Sequence, residues 1–135
     1  MELGIKGKAT LEVAYENTAA SVGSGLLEVF STPDMIGLME NAAQASVLPY
    51  LEEGQGTVGI RMEVDHLAAT PIGQTVWAES ELVEIDGRML TFKVSAYSNI
   101  EKIGEAVHKR CIIYNDRFLA KMNAKYGSGA KLRGE

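Results

Sequence analysis

Between Asp34 and Glu52, Glu40 is the one charged residue in a stretch, "STPDMIGLMENAAQASVLPYLEE", that otherwise reads as a helix apolar almost all the way round. A carboxylate in such surroundings is chemically useful while it stays ionised, as a nucleophile or a general base. Burial opposes ionisation by up to about 3–5 pKa units, so a cation or donor must stand beside it. Three further residues could assist. His66 follows Val58, Ile60, Met62 and Val64 at the period-two spacing of one strand face, which aims it at the same interior as Glu40. An imidazole there could exchange protons with the carboxylate, and general acid or base catalysis is typically worth about 10²–10⁴ in rate. Thr32 stands just before Pro33, where a helix begins. Its hydroxyl, with the free N–H groups of a helix N-terminus, could hold a carbonyl oxygen as it gains negative charge. Arg110 shares a strand face with His108, Ala106 and Ile112, and could pair with Glu40 or with a ligand phosphate.

Each of these residues also has an ordinary role. Glu40 could reach solvent through a gap or pair with an arginine, His66 could be a satisfied core histidine, and Thr32 could be the N-cap. Spacing adds a constraint, because eight residues of straight helix span about 12 Å. A capping Thr32 therefore cannot touch Glu40. Either the helix starts later, near Gly37, or substrate bridges the two, or they act from different subunits. Cys111 alternates with Val107 and Ile113 and reads as packing. Two histidines and one cysteine at these spacings match no zinc pattern, and the glycines of "GQGTVG" do not open a helix as a phosphate loop requires.

The elements that position these residues follow from alternation. Ala9, Leu11, Val13 and Tyr15 form a first stripe, and Val58 to Val64 a second. "QTVWAESELVE" and "MLTFKVSAYS" come next, the latter with Leu90, Phe92, Val94 and Ala96 on one face, and "IGEAVHKRCIIYN" is last. Asp86-Gly87 suits a tight hairpin turn, and "SNIEK" makes a second. "DRFLAKMNAKY" has the pattern of a short amphipathic helix. One strand, a buried helix and four strands on short connections give an α+β protein with a largely antiparallel sheet. A curved sheet wrapped around one long central helix, the hot-dog arrangement, buries that helix. Its free edges favour association, so a homodimer at least is expected, with a higher oligomer open. Residues 1–126 form the domain, and the glycine-rich, charged tail 127–135 is expected to be disordered.

Composition agrees: 135 residues, 46% hydrophobic and 23% charged, describe one globular domain. No apolar run reaches the roughly twenty residues of a membrane span. The start "MELGIKGKATLEV" lacks a signal-peptide pattern, and a single cysteine fits a reducing compartment, so the cytoplasm is expected. A formal charge of −5 disfavours nucleic acid.

Jointly, "VFSTPDMIGLMENAA", "PYLEEGQGTVG", "VDHLAATPIGQTV" and "FLAKMNAKY" resemble the fluoroacetyl-CoA thioesterase-like branch of the hot-dog thioesterases, from about Val29 to Tyr126. The resemblance implies hydrolysis of an acyl-CoA thioester in a pocket between two subunits, without a cofactor. It carries a threonine, glutamate and histidine onto Thr32, Glu40 and His66 as catalytic residues, a backbone contact onto Gly59, and a substrate-binding arginine onto Arg110. "SVGSGLLE" lacks the bulky aromatic residues that gate the pocket in the fluoroacetate-specialised member, so another short or modified acyl group is expected. Two other readings keep the fold: a protein that binds acyl-CoA or another apolar ligand without turnover, and a hydratase, whose usual aspartate and histidine signature is not visible here.

Overall fold

In the computed structural model, which describes residues 1–134, alternation is realised as five strands: β1 (Lys6–Glu12), β2 (Gln55–His66), β3 (Thr75–Asp86), β4 (Met89–Ser98) and β5 (Lys102–Tyr114). They form one antiparallel sheet in the order β1-β3-β4-β5-β2. The helices are the single turn α1 (Ala19–Val22), the central α2 (Thr32–Val47) and the C-terminal α3 (Asn115–Tyr126). The expected α+β hot-dog architecture is the one observed. In the β3–β4 hairpin Asp86 pairs with Met89, and Gly87 takes the positive φ of +60° that the two-residue turn demands.

Met35, Leu38, Met39, Ala42, Ala43 and Val47 are the buried residues of α2. Their spacing defines one helical face, and it meets Val76, Ala78 and Leu82 of β3 and Leu90, Phe92 and Val94 of β4 in the core. Fully burying a side chain of this size stabilises by about 1.5–3 kcal/mol. β1 can lie close across the helix because Gly7 has no Cβ, which would overlap the Ala42 carbonyl oxygen and the Ser46 side chain.

Four expectations are corrected. The helix is not enclosed all round: Gly37, Asn41 and Ala45 are exposed, and Glu40 and Gln44 are half-buried. Glu40 thus sits on the stripe opposite the core face, because small uncharged residues read as apolar there without being packed. Second, Ser31 is the N-cap; its hydroxyl accepts the Asp34 N–H at 3.0 Å. The helix therefore begins at Thr32, neither capped by it nor delayed to Gly37. Third, the second stripe is broken. Gly59 pairs with Arg110 and Arg61 with Lys109, so Ile60 is an extra residue in the ladder. Such a bulge reverses the side-chain parity. Met62, Val64 and His66 keep the inner face, Ile60 is 48% exposed, and Thr57 and Gly59 take the inner positions assigned to Val58 and Ile60. Tyr15 also leaves its stripe, in an exposed 3₁₀ turn after β1.

Beyond α3, residues 127–134 form no helix or strand, and Asn123 and Ala130 exchange two hydrogen bonds of 3.1 Å that fold the tail back. Glu135, part of the tail expected to be disordered, lies outside the described residues. No described helix is long and apolar enough to cross a membrane.

Candidate active site

Glu40 meets the sheet where β2 bulges. A Cβ built on Gly59 would lie 2.7 Å from Glu40 Oε2 and 3.3 Å from both Arg110 Nη1 and His108 Cε1. The carboxylate occupies the space that a side chain at 59 would fill. Its cationic neighbour is Arg110, with Nη1 3.6 Å from Oε2. That distance is an ion pair but exceeds a hydrogen bond, so the carboxylate oxygens keep their lone pairs. Arg110 is 6% exposed. Burial holds its guanidinium below the ordinary arginine value, while the charge of Glu40 pulls it back up. Nε donates to Thr57 Oγ1 at 2.8 Å and Nη2 to the Thr57 carbonyl at 3.1 Å. Glu40, Asn41, Gln44, Arg110 and Arg133 of the tail border a polar hollow of about 300 Å³.

A second hollow, of about 480 Å³, contains Thr32, Phe30, His66 and Ala68. Here Thr32 Oγ1 is 2.8 Å from His66 Nδ1. Because Ser31 caps the helix, the Thr32 hydroxyl is free for this bond. His66 Nε2 is buried, with no hydrogen-bond partner among the described residues. Burial lowers the His66 pKa below its ordinary 6.5, with partial opposition from the Ala68 backbone. The imidazole is therefore neutral at neutral pH. Beside this hollow, after the positive-φ Gly23, the chain presents Leu26 and Leu27, 95% and 69% exposed.

The structure thus brings Thr32 to His66, and Glu40 to Gly59 and Arg110. The expected contact between Glu40 and His66 is not made within one chain: each lines its own hollow. Two polar residues of this region were not assigned roles from sequence. Alternation placed His108 on the face of Arg110, which was the available signal. Thr57 was hidden by the bulge, which no residue type announces.

A curved antiparallel sheet around one long helix is the architecture of the hot-dog thioesterases. The chain belongs to the fluoroacetyl-CoA-specific thioesterase family, whose profile matches residues 13–116. It is 43% identical over 102 residues to a fluoroacetyl-CoA thioesterase of Streptantibioticus cattleyicolor, a match covering 76% of this chain and 73% of that protein. A solved structure of a threonine-to-serine variant of a fluoroacetyl-CoA thioesterase in complex with acetyl-CoA superposes with a TM-score of 0.88 at 35% identity, covering 93% of this chain and 98% of that one. A thioesterase-superfamily protein of Thermus thermophilus gives 0.86 at 25% identity, covering 93% of each chain.

Proposed function

We propose that this protein hydrolyses a short or modified acyl-CoA thioester, with Glu40 as nucleophile or general base, assisted by His66 and Thr32, at a site completed by a second copy. The observation that carries this is Glu40 itself: a carboxylate seated on a glycine, beside a fixed cation 3.6 Å away, with its lone pairs uncommitted. As base, Glu40 takes a proton from water whose oxygen attacks the thioester carbonyl. As nucleophile, it attacks directly, and water then cleaves the resulting anhydride. Either way the C–S bond breaks, an acid forms, and the CoA sulfur leaves with a proton. Neutral His66 shuttles that proton. The N–H of Thr32 is the one left to hold the developing oxyanion, since Pro33 has none and Ser31 takes those of Asp34 and Met35. Gly59 and Arg110 position the substrate.

Self-pairing of edge strand β2 about a two-fold axis at Glu63 would bring Gly59 of one protomer towards the partner's His66, because the bulge at Ile60 keeps both on the inner face, joining the two hollows. A homodimer is therefore part of this reading, as is a cytoplasmic setting with CoA thioesters and a free thiol at Cys111. Leu26 and Leu27 in place of bulky aromatic gating residues support an acyl group other than fluoroacetyl.

The test is thiol release from a panel of acyl-CoAs. Glu40→Gln should fall by about 10²-fold or more. Mixing Glu40→Gln with His66→Ala protomers should restore activity, because one of the two sites in each hybrid is then intact. A Glu40→Gln variant as fast as the parent overturns the mechanism, and binding without release marks a ligand carrier. Hybrids as dead as their parents place Glu40 and His66 in one chain's site.

A further inference from the structure

A guanidinium aims its charge only when its N–H groups are tied. Thr57 ties Nε and Nη2 of Arg110 from β2, leaving Nη1, the nitrogen nearest Glu40. Nη1 lies 3.1 Å from His108 Nε2. Arginine can only donate, so Nε2 must be a bare acceptor nitrogen. His108 Nδ1 lies 2.8 Å from the Arg61 carbonyl oxygen, which can only accept, so Nδ1 carries the proton. Two independent contacts require the same neutral tautomer. The ring is 1% exposed, with Phe92 of β4 tilted against it at 6.3 Å between centroids.

We propose that His108 is a positioning residue: its bare Nε2 holds Arg110 Nη1 back from Glu40, so that the cation faces the carboxylate without occupying its lone pairs. The kinetic part of this rests on the reading of Glu40 as the reacting group; the geometric part does not. With Nε2 gone, Nη1 has Glu40 Oε2 as an acceptor 3.6 Å away. It would close on that oxygen as a charge-assisted hydrogen bond, stabilising the anion and so lowering its strength as a nucleophile or base. A buried histidine that merely filled space would be indifferent to Arg110.

Three measurements separate these cases. ¹⁵N NMR of the unmodified protein near neutral pH should show His108 with a protonated Nδ1 and a bare Nε2. A proton on Nε2 overturns the proposal, whatever the enzyme's substrate. In thiol-release assays His108→Leu should lower kcat by about tenfold or more, while His108→Gln, which keeps an acceptor near the Nε2 position, stays within about threefold of the parent. In an Arg110→Met background His108→Leu should cost nothing further. Equal losses in the Leu and Gln variants, or additivity with Arg110→Met, show a packing role and overturn it. Absence of thiol release in the parent rejects the thioesterase reading and leaves the NMR result to decide the geometry.

Discussion

Adding one methyl group at Gly59 tests how tightly Glu40 is seated. The new Cβ would meet Glu40 Oε2 at 2.7 Å, and that oxygen is the tip of a flexible side chain, so the fold yields where the chemistry does not. Gly59→Ala should change stability by less than about 1 kcal/mol, measured by denaturant titration, yet lower kcat by about tenfold to a hundredfold, as a displacement near 1 Å can. Equal activity would mean that the carboxylate works from another position. At this scale the reading from sequence identified the reactive groups but not their partners. A lone acid, an inward histidine and a threonine beside proline are visible as residue types. Which of them touch depends on a bulge and on one chain's reach.

Elements decide that reach, and the start of α2 shows how a single neighbour redirects a side chain. Ser31 takes the capping role, which frees Thr32 for His66. Ser31→Ala should therefore cost about 1 kcal/mol of stability with little loss of thiol release, while Thr32→Val should do the reverse: keep the melting temperature and lower the rate. Matching losses of stability in both would return the cap to Thr32. The five strands, the hairpin at Gly87 and both main helices were legible because alternation and 3.6-residue periodicity report burial directly. The bulge at Ile60 was not, since an inserted residue leaves the composition of a strand unchanged while reversing its faces. It displaced Val58 and Ile60 from the interior and supplied Thr57 and Gly59 instead. The cap was ambiguous for a related reason: serine and threonine are adjacent, and both are competent caps.

At the scale of the whole molecule, the sheet covers α2 from one side only, and the stripe with Gly37, Asn41 and Ala45 stays exposed. The covered side holds two histidines, His108 buried and His66 half-buried, and this sets how stability must respond to acid. Burial holds both His66 and His108 below the ordinary 6.5; the Arg110 charge adds to this at His108, while the Arg61 carbonyl and the Glu40 charge oppose it. As pH falls through 6.5, the unfolded chain takes up protons at these positions while the folded chain resists them. Unfolding is then favoured by proton uptake. The stabilisation is complete above 6.5, is lost as pH falls below it, and stops changing once the lowered folded values are passed. For His108 alone the slope cannot exceed about 1.4 kcal/mol per pH unit. Urea titrations at about pH 7.5 and about pH 5.5 should show lower stability at the acid end, and the difference should shrink in His108→Gln, whose amide does not titrate there. An unchanged difference in that variant would mean that the imidazole of His108 takes up protons as readily in the fold as outside it, contradicting the hydrogen bond that its Nε2 accepts from Arg110.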